Sequence, residues 1–170
     1  MKNNLFESLL GLNLTNVLFQ PTEGLLSPDN MFVLNFENEK SFFSLHVFCF
    51  LRVMMNNRIL LVSSDEVVSM DYHILDSNAS TKNSIIYHNI KNVQQMSYGA
   101  IVSQAVLYDC GDVEIRLSND MVIEIKIDCS IDGYEYYRLF DYYGTNQLVV
   151  CNKKGRIVFD WESREPPQYR

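Results

Sequence analysis

The sequence predicts an α+β fold made mostly of antiparallel β-strands, in two related sheets with a few short helices. Three observations predict it. Apolar and polar residues alternate on both sides of the turn at residues 118–120, which is typical of a half-buried hairpin. Polar, turn-forming stretches separate the other apolar runs at short intervals. The chain has 170 residues, of which 47% are hydrophobic, so it can bury the core of one domain.

The first half opens with a predicted short helix over residues 5–10, because Asn4 and Glu7 have the spacing of a capping box. Aromatic and β-branched runs then predict four strands, and a polar turn at residues 37–40 joins the middle two as a hairpin. These strands are 13–20, 31–36, 41–50 and 58–62. A second capping-box pattern predicts a short helix over residues 67–75.

The second half opens with a predicted helix over residues 84–95, which rests on a weak apolar periodicity. Six strands follow, separated by polar turns such as 109–112 and 152–155. They are 100–108, 113–117, 121–127, 134–140, 147–151 and 156–161. The tail, residues 162–170, contains two prolines and is expected to be flexible, so residues 1–161 are predicted to form a single domain.

Two of the predicted hairpins resemble each other. The hairpin of residues 34–49 matches that of residues 115–129 at an offset of 81 in the first strand and of 80 in the second. One interpretation is an internal repeat, in which two halves, about 5–65 and 90–161, form related sheets around a pseudo-twofold axis. The other is that any two hairpins look this similar.

The net charge is −7, from 14 Lys and Arg against 21 Asp and Glu, and it is concentrated in one part of the chain. Residues 109–141 contain nine acids and three basic residues, a net charge of −6. Such a chain is a poor candidate for general nucleic-acid binding, which needs clustered Lys and Arg. It is a better candidate for binding a basic partner.

Strand alternation places several of these acids on one face. The simplest register sets Leu117 opposite Met121, and therefore Glu114 opposite Glu124 on the outer face, where like charges cost stability. One interpretation is an ordinary solvated face. The other is a surface kept acidic for a basic partner, with tyrosines as rigid contact area. The candidate partner-binding residues are Asp109, Asp112, Glu114, Glu124, Asp128, Glu135, Tyr134 and Tyr136.

No strong catalytic motif is found. The sequence has no Gly-rich phosphate loop, no GxSxG nucleophile elbow and no nucleophile with an evident base. Asp71 and His73 could supply two metal ligands, but no third lies nearby in sequence. We therefore expect a protein that is not an enzyme and that holds no cofactor or metal. The cysteines form no CxxC pair and are expected to be buried free thiols; they are Cys49, Cys110, Cys129 and Cys151.

The sequence also predicts a cytoplasmic protein that does not enter a membrane. The N-terminus has one Lys, and Glu7 interrupts the apolar run that follows, which is unlike a secretory signal. The longest apolar stretch, residues 41–55, contains His46 and Arg52 and is too short to span a bilayer.

Residues 11–65 contain an apolar strand, a polar turn and a second strand, followed by an arginine and a Ser-Asp pair. A weaker version of this pattern covers residues 93–140. The parts of the pattern in residues 11–65 are Leu34-Asn35-Phe36, Asn38-Glu39, residues 43–49, Arg52 and Ser64-Asp65. In a small acidic α+β chain without catalytic residues, this pattern resembles the immunity proteins of bacterial contact-dependent growth inhibition and polymorphic toxin systems. The resemblance implies that the protein binds one cognate toxin and blocks its active site or its assembly.

Two functions stay open. The first is an immunity protein, or antitoxin, whose acidic surface occludes a basic toxin, expected to be a nuclease, with no nucleic-acid partner of its own. Reversing Glu114 and Glu124 to Lys should then slow association and hardly change stability. The second is a non-catalytic nucleic-acid-binding module, because two related sheets around a twofold axis also resemble the Whirly-type fold. It would have to use aromatic platforms and the basic residues Lys82, Lys91, Lys153, Lys154 and Arg156, although the chain lacks a basic face.

Overall fold

Eleven strands, one α-helix and short 3-10 helices make up the described part of the chain. This computed structural model describes residues 5–21, 30–71, 73–75, 84–128, 130–142 and 146–163, but not the side chains of 161–163. The strands are β1 (Asn13–Gln20), β2 (Met31–Glu37), β3 (Phe42–Val47), β4 (Phe50–Met55), β5 (Arg58–Val62), β6 (Val102–Leu107), β7 (Val113–Leu117), β8 (Met121–Lys126), β9 (Glu135–Asp141), β10 (Asn146–Lys153) and β11 (Arg156–Ser163). The α-helix, α1, is Ile86–Ser97.

The strands form two antiparallel sheets, and each half of the chain contributes to both. The six-stranded sheet has the order β1-β2-β3-β9-β10-β11, and the five-stranded sheet has the order β5-β4-β8-β7-β6. In each sheet, a three-strand meander from one half therefore pairs with strands from the other half. This confirms the predicted α+β fold with two antiparallel sheets. Two related halves would give this strand order, and the sequence repeat itself stays a prediction.

One hydrophobic core joins the two sheets, and the predicted β7–β8 hairpin contributes much of it. Its register is confirmed, because Val113 pairs with Ile125 and Ile115 pairs with Ile123. These four side chains are fully buried. Ile127, which lies just beyond the end of β8, is only partly buried but packs against the same core. The period-two alternation thus correctly identified the inner face.

The two similar hairpins differ in loop length by more than the sequence match indicates. Leu34 pairs with Leu45 in the first hairpin, eleven positions along the chain, whereas Ile115 pairs with Ile123 in the second, eight positions along. Matching Leu34 to Ile115 therefore matches Leu45 to Ile123, not to Ile125. The sequence offset in the second strand is wrong by two residues. A two-residue shift is one full strand period, so every side chain keeps its face.

The predicted strand over residues 41–50 is two strands in different sheets. β3 ends at Val47, the Phe48 N–H donates to the Tyr136 carbonyl oxygen at 2.8 Å, and β4 begins at Phe50. The chain thus passes from the six-stranded to the five-stranded sheet within two residues. β4 lies between β5 and β8, and the sequence did not predict it, because a continuous apolar run contains no polar break to mark the crossover.

The helices also differ from prediction. The opening helix is a 3-10 helix, Leu5–Leu9, and another 3-10 helix occupies Ser63–Val67. The helix predicted over 67–75 is wrong, because Val68 and Ile74 pair there as an isolated antiparallel bridge. The helix predicted over residues 84–95 is confirmed, but as α1 it begins at Ile86 and ends at Ser97. No helix among the described residues is long and apolar enough to cross a membrane.

The cysteines lie in two environments. Cys49 and Cys151 are buried free thiols, whereas Cys110 is an exposed free thiol, so the expectation that all four are buried is wrong for Cys110. Its position in the tight turn before Gly111 explains the exposure, because the Gly111 N–H donates to the Tyr108 carbonyl oxygen at 2.8 Å and the turn projects from the sheet. Cys129 lies outside the described residues.

We predict that iodoacetamide alkylates Cys110 in the native protein far faster than Cys49 or Cys151, because only an accessible thiolate reacts. Mass spectrometry of peptides from protein treated under non-reducing conditions measures the order of modification. After unfolding, all four cysteines should react. A native protein in which Cys49 reacts as fast as Cys110, or an unfolded protein with two or fewer reactive thiols, would contradict this arrangement.

Candidate protein-binding surface

The predicted acidic face of the five-stranded sheet is a row of four paired charges, which we call the charged row: Arg52, Glu124, Glu114 and Arg116. The predicted opposition of Glu114 and Glu124 is confirmed by the register of β7 and β8. Arg116 Nε lies 2.8 Å from Glu114 Oε1. On the other side, Arg52 lies directly opposite Glu124 on β4, and its Nε donates to Glu124 Oε2 at 2.7 Å. Each glutamate therefore has its own arginine, which explains why the like charges are tolerated.

Two more of the predicted carboxylates have partners within the fold. Asp112 lies 3.3 Å from Lys126 Nζ and also accepts the Ile127 N–H at 3.0 Å. The Glu135 carboxylate accepts hydrogen bonds from Arg138, three residues further along β9. These carboxylates stabilise the ends of strands, and much of the negative charge counted in the sequence is neutralised by neighbouring cations.

The two predicted tyrosines do not form an exposed contact surface. Tyr136 is 1% exposed, so its predicted role in supplying contact area is wrong. The cause is a register shift, because Tyr137 pairs with Val150 while Glu135 pairs with Cys151, and Tyr136 is left as the extra residue on its strand. Tyr134 is half-buried, and its hydroxyl donates to the Phe48 carbonyl oxygen at 2.7 Å.

Asp109 and Asp128 are the two predicted acids that are exposed. Asp109 lies in the turn between β6 and β7. Asp128 follows β8 and lines a cavity of about 280 Å³ at the point where the chain crosses between the sheets. We call it the aromatic–carboxylate cavity. Its main lining side chains are Phe19, Phe32, Phe48, Phe50, Glu66 and Asp128, and none of the described residues that line it is Lys, Arg or His.

The two carboxylates of this cavity are held by neighbouring backbone and side-chain groups. Partial burial raises the pKa of the Asp128 carboxyl above its usual value, and hydrogen bonds from the backbone of Asp128 and Phe50 partly oppose the shift. The Asn30 amide donates to Glu66 Oε2 at 3.2 Å. Asp128 forms no salt bridge with any described residue. A carboxylate beside aromatic rings, without its own cation, can attract a cation from outside.

The basic residues needed for nucleic-acid binding are dispersed. Lys154 and Arg156 are exposed at the β10–β11 hairpin, and Lys153 pairs there with Asp160 at 2.5 Å. Lys91 is exposed on α1, which packs on β1, and β1 and β11 are the opposite edges of the six-stranded sheet. Lys82 lies outside the described residues. These cations do not form the continuous groove that tracks a nucleic-acid backbone.

No group of three or more His, Cys, Asp or Glu side chains in the described part of the chain is placed to hold a metal ion. The aromatic–carboxylate cavity places aromatic rings beside a carboxylate, a combination that suits a cationic group. Comparison of the chain with protein-family models, with curated proteins and with solved structures found no match.

Proposed function

We propose that this protein is a non-catalytic inhibitor of the immunity type, which binds a basic toxin and uses the aromatic–carboxylate cavity to accept a Lys or Arg side chain of that toxin. The observation that carries the proposal is the lining of the cavity, in which four phenylalanines lie beside the carboxylate of Asp128, which forms no salt bridge with any described residue. Aromatic faces attract cations through their quadrupole, and a partly desolvated carboxylate adds a charge-assisted hydrogen bond.

The surroundings of the cavity support a protein partner over a small cation. Tyr134 packs against Tyr136 with ring centroids 5.7 Å apart and ties its hydroxyl to the Phe48 carbonyl, so the aromatic wall is held rigid. The Phe50 position pairs with Lys126, whose ammonium is already engaged by Asp112. A rigid aromatic and charged pocket is typical of the anchor positions of protein interfaces. A toxin that acts on nucleic acid would present suitable basic side chains.

Replacing Asp128 by Asn should speed dissociation of the bound toxin by about tenfold or more, because loss of one partner of a desolvated ion pair leaves the other charge unpaired. The toxin to test is the product of the gene directly upstream. Binding kinetics at low and high salt measure the effect, and growth of cells that express both proteins measures protection. The matched control is Asp120→Asn, which removes the same charge from an exposed turn and should keep the original dissociation rate.

The stability of the Asp128→Asn variant separates a binding role from a folding role. Since burial raises the pKa of Asp128, the folded state binds more protons than the unfolded state above the usual Asp pKa. The contribution of Asp128 to the free energy of unfolding is therefore fully present below the usual Asp pKa. It is lost as the pH rises through the raised pKa of the folded state. The variant should be at least as stable as the original protein at pH 7, with a difference that shrinks toward about pH 4. Weaker toxin binding with a clear loss of stability at pH 7, or binding unchanged by the substitution, would contradict the proposal.

A further inference from the structure

A second and larger cavity, of about 720 Å³, lies between the edge strand β5 and the helix α1. Among the described residues, β5 is an edge of the five-stranded sheet and pairs only with β4. One wall of this cavity, which we call the β5–α1 groove, is the β5 segment Arg58, Ile59 and Leu60. The opposite wall is one face of α1, which carries Asn89, Asn92 and Gln95.

One end of the β5–α1 groove is closed by hydrogen bonds through Asp65. The carboxylate of Asp65 accepts the Val62 N–H at 3.0 Å and the Asn89 amide at 2.8 Å, which ties the end of β5 to α1. The Ser84 hydroxyl donates to the Asp65 carbonyl oxygen at 2.6 Å and anchors the residues just before the helix. The end of β5 and the start of α1 are therefore held together, and among the described residues the backbone of residues 58–61 pairs with β4 alone.

On its other side, α1 hydrogen-bonds to the edge strand β1 of the six-stranded sheet. There, Gln94 Nε2 donates to Asn16 Oδ1 at 2.7 Å and to the Val17 carbonyl oxygen at 3.0 Å, so the helix directly satisfies the edge of β1. On the β5 flank, the amides of Asn92 and Gln95 reach no described partner and face a gap instead. An amide side chain can donate and accept at once, which suits it to a peptide backbone of any sequence.

The charge that the β5–α1 groove offers to an occupant is that of Arg58, because the carboxylate of Asp65 is engaged at the closed end. The 32 residues from 77 to 108 contain no Asp or Glu. Arg58 and His88 line the groove, and Arg58 forms no salt bridge with any described residue. Asp65 is the acid on its lining, and its carboxylate is already engaged. An occupant with acidic side chains would complement this charge.

We propose that the β5–α1 groove binds an extended, acidic peptide segment of a partner protein, which adds a strand to β5. Backbone hydrogen bonds to residues 58–61 would supply affinity, the amides of Asn92 and Gln95 would hold the outer edge of the added strand, and Arg58 would select acidic side chains. Met55, Leu60 and Ile85 provide an apolar floor for alternate side chains. This proposal uses a different surface from the toxin-binding cavity and goes beyond the proposed function.

The test uses a fluorescent peptide of about eight residues with alternating Thr and Glu, titrated with the full chain and followed by fluorescence anisotropy. The peptide should bind, and the same peptide with alternate backbone nitrogens methylated should not, because it keeps the charge and loses the pairing N–H groups. A peptide of alternating Thr and Lys should bind much more weakly. Equal binding of the methylated peptide, equal binding of the Lys peptide, or no binding at millimolar concentration would each overturn the proposal.

Variants of exposed residues locate the binding. Arg58→Gln should weaken binding of the Thr-Glu peptide by about two- to fivefold. Lys91→Gln, which removes a cation from α1 outside the groove, should leave the binding unchanged. Asn92→Ala should weaken it by about two- to tenfold through the lost hydrogen bonds. Asp128→Asn should have no effect, so failure here is distinguishable from failure of the toxin-binding proposal. Dimerisation of the free protein that Asn92→Ala abolishes would show that a second copy occupies the groove and would overturn the peptide assignment.

Discussion

Ile125→Ala is expected to lower the free energy of unfolding by about 2–4 kcal/mol. Ile125 is fully buried in β8, where it lies between Leu51 of β4 and Val113 of β7. Both neighbours are themselves fully buried, so the strands cannot collapse into the space without losing their own ladders. The substitution therefore loses the transfer free energy of the removed atoms and leaves a cavity. Urea unfolding followed by circular dichroism measures the change in midpoint.

Ile131→Ala is the matched control, since Ile131 is 61% exposed in the loop before β9. Removing the same atoms there should change the free energy of unfolding by less than about 0.5 kcal/mol. If Ile125→Ala cost no more than Ile131→Ala, Ile125 would not lie in the core and the assigned inner face of β8 would be wrong.

The register at Ile125 could be predicted from the sequence because β7 and β8 are joined by a short turn and alternate strictly. With a period of two and a three-residue loop, few registers keep the apolar side chains on one face. The strand β1 was predicted with its observed bounds because Gly11 lies just before it and Pro21 ends it. Local pattern suffices where the neighbour in space is also the neighbour in sequence.

Local pattern fails where the chain changes sheets. Residues 41–55 form one apolar run, but the structure divides it at Phe48 and Cys49. The two parts pair with different distant strands, because β3 pairs with β9 and β4 pairs with β8. The predicted helix over residues 67–75 is wrong because the residues read as its N-terminal cap make contacts with other elements of the fold. Asp65, within the segment read as a capping box, instead accepts the Val62 N–H at the end of β5 and the Asn89 amide of α1, so a local motif makes tertiary contacts.

The candidate site was only partly predictable because its members come from distant segments. Asp128 was identified from its acidic neighbourhood, but the phenylalanines that surround it come from β1, β2, the β3–β4 crossover and the start of β4. Arg52, which pairs with Glu124, lies 72 residues away on a strand that the sequence did not predict. Counting charges along the sequence therefore overestimated how acidic the outer face is.

That pairing changes the expected effect of charge reversal at Glu124. The sequence alone predicts that Lys at positions 114 and 124 hardly affects stability. The Glu124 side chain is only 13% exposed, and both Arg52 Nε and a terminal guanidinium nitrogen of Arg52 contact its Oε2, at 2.7 and 2.5 Å. Glu124→Lys would place two cations face to face on neighbouring strands. We expect it to lower the free energy of unfolding by about 2–4 kcal/mol, between the values for exposed and buried pairs.

Glu114→Lys should cost less, about 1 kcal/mol or below, because its partner Arg116 is 49% exposed and can turn into solvent. The decisive measurement is a double-mutant cycle at Arg52 and Glu124 by urea unfolding. Exchanging the charges with Arg52→Glu and Glu124→Arg should recover about half or more of the stability lost in Glu124→Arg alone, because the exchanged pair restores the attraction. A coupling energy near zero would mean that Glu124 is ordinary solvated surface. The acidic face would then again be open to a basic partner, and the aromatic–carboxylate cavity would no longer be the better candidate.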